Sequence, residues 1–62
     1  MIKAILVDDE PLNISNLSAL LGRHCPSVEI LGTANSVDQA QKIISELQPD
    51  VVFLDIEMPG KN

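Results

Sequence analysis

Two short apolar runs, each followed directly by an aspartate, constrain the fold of this chain more than any other feature. Residues 4–7 (AILV) precede Asp8, and residues 51–54 (VVFL) precede Asp55. Uninterrupted apolar runs of this length are typical of strands that are covered on both faces, as in a parallel sheet. The chain has 62 residues, which allows one small domain built around such strands.

The segment between the two runs has the pattern helix, strand, helix. Apolar residues recur at spacings of three and four after Pro11, which predicts an amphipathic helix that ends before Pro26. Ser36 and Gln39 form a capping box at the start of a second amphipathic segment, which ends before Pro49. We therefore predict strands over about residues 3–7, 28–33 and 51–55, and helices over about residues 11–23 and 37–48. This alternation predicts an α/β fold with a parallel sheet and right-handed crossovers.

Acidic side chains are expected to meet at one edge of this sheet. Asp8 and Asp9 close the first strand and Asp55 closes the third, and the carboxyl ends of parallel strands share the edge where such folds bind ligands. Neighbouring carboxylates attract a cation, and oxygen donors without histidine or cysteine suit Mg²⁺. An aspartate held beside a metal can also act as a nucleophile toward phosphorus. The other interpretation is that Asp9 and Glu10 cap the first helix, but this does not explain Asp55, which no predicted helix follows closely.

The charge of the chain is concentrated in two acidic clusters. Nine acidic residues against four lysines and arginines give a formal net charge of −5. Five of the nine acids lie in the clusters, residues 8–10 and 55–57, and the other four balance the basic residues. This balance excludes a basic nucleic-acid interface, and no apolar run is long enough to span a membrane. The single cysteine, Cys25, allows no intrachain disulfide and favours a cytoplasmic location.

The residues around the two clusters resemble a known family. Residues 5–11 (ILVDDEP) and 52–60 (VFLDIEMPG) look like the receiver domain of bacterial two-component response regulators, and their separation also fits that family. The resemblance covers the whole chain, residues 1–62, and implies a flavodoxin-like fold in which the strands have the order 2-1-3. The two motifs are most similar to those of receivers that precede LytTR-type DNA-binding domains.

The resemblance also implies a role for each acidic residue. Asp55 matches the aspartate that a partner histidine kinase phosphorylates, so the chain is expected to be a phosphorylation target in a phosphorelay rather than an enzyme. Asp9 matches the direct Mg²⁺ ligand, and Asp8 matches the acid that holds metal-bound water. The expected metal-binding set is Asp8, Asp9, Asp55 and the backbone carbonyl of Glu57. The loop that shapes the mouth of the site corresponds to Met58, Pro59 and Gly60.

The family resemblance implies a five-stranded domain, of which residues 1–62 correspond to the first, truncated half with three strands. In the family, a serine or threonine and a lysine from the second half contact the phosphoryl group, so this chain alone is expected to be weakly active or inactive. The third strand is expected to expose an unpaired apolar edge that joins copies into a homo-oligomer, most simply a two-fold dimer. The alternative interpretation is an inert half-domain that self-assembles as a scaffold.

Overall fold

The computed structural model describes residues 1–55 of the chain. Its elements are, in order, β1 (Ile2–Asp8), α1 (Pro11–His24), β2 (Val28–Ala34), α2 (Val37–Leu47) and β3 (Val51–Asp55). The strands form one parallel sheet in the order β2-β1-β3. The predicted fold class, a βαβαβ unit with a three-stranded parallel sheet of order 2-1-3, is therefore confirmed. Neither helix in this part of the chain is long and apolar enough to cross a membrane.

β1 is the centre of the fold, because both of its edges are paired and both of its faces are covered. Its four apolar residues, Ala4 to Val7, are at most 2% exposed. Ile5 and Val7 point to one face, where they form a core cluster with residues of β2 and α2: Ala34, Ala40, Ile43 and Ile44. Leu6 alternates to the other face, which is the face that α1 covers. The first apolar run of the sequence therefore supplies the core for both helices.

β2 contains a bulge where it passes under α2. The pairing of β1 with β2 shifts by one residue after Ala4, so that Leu31 has no partner in the register. Gly32 follows the bulge, and a Cβ atom built there lies 3.4 Å from Leu47 Cδ1. The missing side chain at this position allows α2 to lie close to the sheet.

The ends of α2 follow from local hydrogen bonds. Ser36 Oγ accepts a hydrogen bond from the Gln39 backbone N–H at 3.2 Å, and Gln39 Oε1 accepts one from the Asn35 N–H at 3.1 Å. The predicted capping box is therefore present, although Gln39 reaches one residue further back than in the usual arrangement. The helix ends at Leu47, one residue earlier than expected, because Gln48 adopts a left-handed conformation with a φ of 50°.

β3 is less covered than its apolar sequence suggests. Within residues 1–55 it has β1 as its one neighbour in the sheet. Val52 is 37% exposed and Leu54 is 62% exposed. Among residues 1–55, therefore, no second strand pairs with the outer edge of β3, and its apolar side chains at Val52 and Leu54 are exposed.

Candidate functional site

The carboxyl ends of β1 and β3 lie side by side at one edge of the sheet. Asp8 and Asp55 are register partners in the parallel pairing of these strands, and partners on neighbouring strands point to the same face. Asp8 is 8% exposed, whereas Asp9 and Asp55 are exposed. The first acid is thus set into the protein, and the other two reach solvent.

Asp8 is held by hydrogen bonds to a single carboxylate oxygen. Its Oδ1 accepts one from the Glu10 backbone N–H at 2.9 Å and one from Asn13 Nδ2 at 3.5 Å. Glu10 is the N-cap residue of α1, but its side chain makes no cap hydrogen bond. The turn between β1 and α1 is therefore organised by Asp8, and not by Asp9 or Glu10, which the capping interpretation had favoured.

A cavity of about 260 Å³ opens between these strand ends and the start of α1. It is lined by Asp8, Asp9, Glu10, Asn13 and Asp55. The structure thus brings Asp8 and Asp9, at the carboxyl end of β1, together with Asp55, at the carboxyl end of β3, around one cavity. Glu57 and the loop residues Met58, Pro59 and Gly60, which the sequence also assigned to this site, lie outside the described residues.

The donor set of this cavity suits a hard cation. The lining side chains offer carboxylate and amide oxygens and contain no histidine or cysteine, which is the chemistry that Mg²⁺ prefers. Among residues 1–55, no group of three or more His, Cys, Asp or Glu side chains is arranged to hold a metal ion by itself. An ion bound at this cavity would need water or carbonyl oxygens among its ligands, as Mg²⁺ commonly has.

Asn13 is a residue of the site that the sequence did not indicate. It lies in the first turn of α1, lines the acidic cavity, and contacts the buried carboxylate of Asp8. The available signal was an amide between the apolar residues Leu12 and Ile14, five positions after Asp8. Such an amide is common on solvated helix faces, so the pattern alone gave it no role.

A second, apolar groove of about 470 Å³ lies beside the cavity, between α1 and β3. Its walls include Leu6 at the sheet centre, Leu17 and Leu20 of α1, and Phe53 of β3. Asp8, Asn13 and Asp55 lie at its border with the acidic cavity. The two spaces therefore share a rim.

The comparison with protein families gives one match, which covers most of this chain. The response regulator receiver domain matches residues 4–62. An uncharacterized response regulatory protein of Vibrio cholerae is 48% identical over 56 residues, which are 90% of this chain and 22% of that protein. The transcriptional regulatory protein BtsR of Salmonella typhi is 46% identical over 59 residues, which are 95% of this chain and 24% of BtsR.

One further relative has a different named activity. A protein-glutamate methylesterase/protein-glutamine glutaminase of Agrobacterium fabrum is 43% identical over 60 residues, which are 97% of this chain and 17% of that protein. The chain thus spans a quarter or less of the length of these curated relatives. No solved structure matches the chain significantly.

Proposed function

Because this chain belongs to the response regulator receiver domain family, we propose that it accepts a phosphoryl group from a histidine kinase on Asp55. The observation that carries this proposal is the pairing of Asp55 with Asp8 at the mouth of an acid-lined cavity. Asp55 is the exposed member of that pair, so an incoming phosphoryl group reaches it from solvent. Asp8 is a poorer acceptor because it is buried and already hydrogen-bonded.

In the proposed step, a carboxylate oxygen of Asp55 attacks the phosphorus of a phosphohistidine. A P–O bond to Asp55 forms as the P–N bond to the imidazole breaks, and the imidazole nitrogen keeps the electron pair and takes up a proton from water. Phosphoryl transfer is accelerated mainly by positioning the reacting groups and by stabilising the charge of the transition state. The main task of the chain is therefore to hold Asp55 in place at the end of β3. The pairing of β3 with β1 supports that task.

We propose that Mg²⁺ is the cofactor and that Asp8, Asp9, Asp55 and the backbone carbonyl of Glu57 hold it. Mg²⁺, when bound, offsets the negative charge of the transferring phosphoryl oxygens. The all-oxygen donors around the cavity support this choice of metal. Asp9 is exposed and suited to direct ligation, whereas Asp8 is set back and suited to a ligand water.

The relatives support a signalling role in preference to an enzymatic one. One relative is named a transcriptional regulatory protein and another a methylesterase, yet each matches almost the whole of this chain over a small part of its own length. The shared segment is therefore better explained by signal reception than by either named activity. We place this function in a two-component system of the cytoplasm.

We further propose that the chain by itself is phosphorylated slowly. The described residues that line the cavity carry no lysine or arginine, so nothing among them offsets the charge of a phosphoryl group apart from a bound cation. The expected behaviour is weak Mg²⁺ binding and slow or absent phosphorylation.

A second candidate function is self-assembly as a scaffold. It is favoured by the open edge of β3 and by the exposure of Val52 and Leu54. An unpaired apolar edge strand promotes pairing with another chain, so we propose a homo-oligomer joined through β3. This assembly is compatible with the acceptor function, or replaces it if the site proves inert.

Amide NMR spectra recorded with Mg²⁺ and beryllofluoride, a mimic of the phosphoryl group, separate these two functions. The acceptor function predicts shifts at Asp9 and Asp55 that require both additives. The Asp55→Asn variant should lose the beryllofluoride response, and Asp38→Asn, which changes an exposed acid on α2, should keep it. Unchanged spectra in the folded wild-type chain would exclude the acceptor function and leave the scaffold.

A further inference from the structure

Asn13 contacts the one acid of the site that is buried. Its Nδ2 donates to Asp8 Oδ1 at 3.5 Å, and the same oxygen accepts the Glu10 N–H at 2.9 Å. Among the described residues, no buried side-chain nitrogen or oxygen is without a hydrogen-bond partner. Both hydrogen bonds of Asp8 go to Oδ1, so Oδ2 accepts none from the described residues, and Asp8 lines the cavity.

We propose that Asn13 is a positioning residue for Mg²⁺ binding, which acts by fixing the orientation of the Asp8 carboxylate. This inference rests on the proposed function, because it assigns Asn13 a task only if the cavity binds a cation. The Glu10 N–H alone fixes one hydrogen bond and leaves the carboxylate free to rotate about it. The second donor, from the first turn of α1, restricts that rotation through a long hydrogen bond of 3.5 Å.

The chemistry of the donor is suited to this task. An amide N–H₂ group donates to a carboxylate without adding charge, so it orients Asp8 and does not compete with the cation for it. Groups that orient metal-binding side chains are commonly worth a factor of ten or more in affinity. Because the hydrogen bond is long, at 3.5 Å, we expect the Mg²⁺ affinity to fall by about tenfold when the donor is removed, which is the lower end of that range.

α1 offers a matched control. Asn16 lies one turn after Asn13 on the same helix, is also exposed, and lines the apolar groove but not the acidic cavity. Asn13→Ala and Asn16→Ala therefore make the same change in helix propensity and in composition. Asn13→Gln keeps an amide donor and is the conservative variant.

The experiment is a calorimetric titration of the purified chain and its variants with MgCl₂, together with thermal unfolding and metal-free amide NMR spectra. We expect Asn13→Ala to bind Mg²⁺ about tenfold more weakly and to shift the Glu10 amide before any metal is added. Asn16→Ala should change neither quantity, and Asn13→Gln should recover part of the affinity. The thermal midpoint of Asn13→Ala should fall slightly below that of Asn16→Ala, because only Asn13 donates a hydrogen bond to Asp8.

Other results overturn the inference in distinguishable ways. Equal Mg²⁺ affinities of Asn13→Ala and Asn16→Ala, with a large loss in Asp9→Asn, overturn the role of Asn13 and leave the proposed function intact. In a second outcome, the thermal midpoint falls only in Asn13→Ala, and Asn13→Gln restores the midpoint but not the Mg²⁺ affinity. That outcome assigns Asn13 a structural role instead. A folded wild-type chain that binds no Mg²⁺ overturns the proposed function and this inference together.

Discussion

Lys3 and Asp50 exchange two hydrogen bonds across the start of the β1–β3 pair. The Asp50 backbone N–H donates to the Lys3 carbonyl at 2.7 Å, and Asp50 Oδ2 accepts from the Lys3 N–H at 2.9 Å. The next residue, Val51, begins the register with Ala4, and the same register ends at Asp8 and Asp55. An aspartate that the sequence left unassigned therefore fixes the alignment on which the functional site depends.

Removing the Asp50 carboxylate should weaken this alignment. We expect Asp50→Ala to lower the free energy of unfolding by about 1 kcal/mol, because an exposed hydrogen bond of this kind makes a modest net contribution. Asp50→Asn keeps an oxygen acceptor and should lose less than half as much. Urea unfolding followed by far-ultraviolet circular dichroism gives both values. Equal losses in the two variants would show that charge, and not the hydrogen bond, matters at this position.

The fold was predictable because its determinants are local and periodic. The apolar run before Asp8 predicted a strand buried on both faces, and the Ser36 capping box predicted the start of α2. The central place of that strand in the sheet came from the resemblance to the receiver family. The edge shared by Asp8 and Asp55 follows from strand direction alone, since parallel strands end on the same side. These inferences needed the order of the elements but not their packing.

The hydrogen bonds within the site were not predictable in the same way. The alternative interpretation of the sequence had Asp9 and Glu10 cap α1, whereas Asp8 accepts the hydrogen bond from the Glu10 N–H and organises the turn. The contact between Asn13 and Asp8 depends on how α1 rotates over the sheet, which no spacing rule determines. Asp50 is a third case, because its partner is 47 residues away in the chain.

The cap of α2 should be worth a measurable amount. Ser36→Ala removes the oxygen that accepts the Gln39 N–H, and we expect it to lower the free energy of unfolding by about 1 kcal/mol. Ser45→Ala, an exposed position inside the same helix, should be neutral or slightly stabilising because alanine favours the helix. Thermal and urea unfolding of the two variants provide the comparison. A loss in Ser45→Ala equal to that in Ser36→Ala would contradict the capping role.

Substitution of Gly22 should raise the stability of the chain, and substitution of Gly32 by a large residue should lower it. A Cβ atom at Gly22 meets no atom within 4 Å, so Gly22→Ala should stabilise α1 by about 1 kcal/mol. Gly32 lies 3.4 Å from Leu47 Cδ1 by the same measure, and Gly32→Leu should force α2 away from the sheet at a cost of about 1–3 kcal/mol. Unfolding midpoints test both. A stable Gly32→Leu variant would mean that α2 is held less closely than the structure indicates.

Mg²⁺ should stabilise the folded chain by binding to it and not to the unfolded one. At ten times the dissociation constant, the expected gain in the free energy of unfolding is about 1.4 kcal/mol. The effect should disappear in Asp9→Asn and persist in Asp38→Asn. Since salt also screens neighbouring acids, the control is NaCl at matched ionic strength. An equal gain from NaCl would indicate screening of the cluster and argue against a specific site.

The open edge of β3 gives the last prediction. Antiparallel pairing of two β3 strands about a two-fold axis would join two three-stranded sheets and cover part of Leu54, which is 62% exposed. A lysine on an edge strand opposes such pairing, because it places a charge where another chain must dock. We therefore expect Leu54→Lys to shift the chain from dimer to monomer.

Leu12→Lys, at a 68% exposed position on α1, controls for the loss of an exposed leucine and should leave the dimer in place. Size-exclusion chromatography with light scattering reads out the assembly, and circular dichroism shows whether each variant is folded. A wild-type chain that is folded and monomeric at micromolar concentration would rule out the β3 interface, because the edge would then be stable in water without a partner.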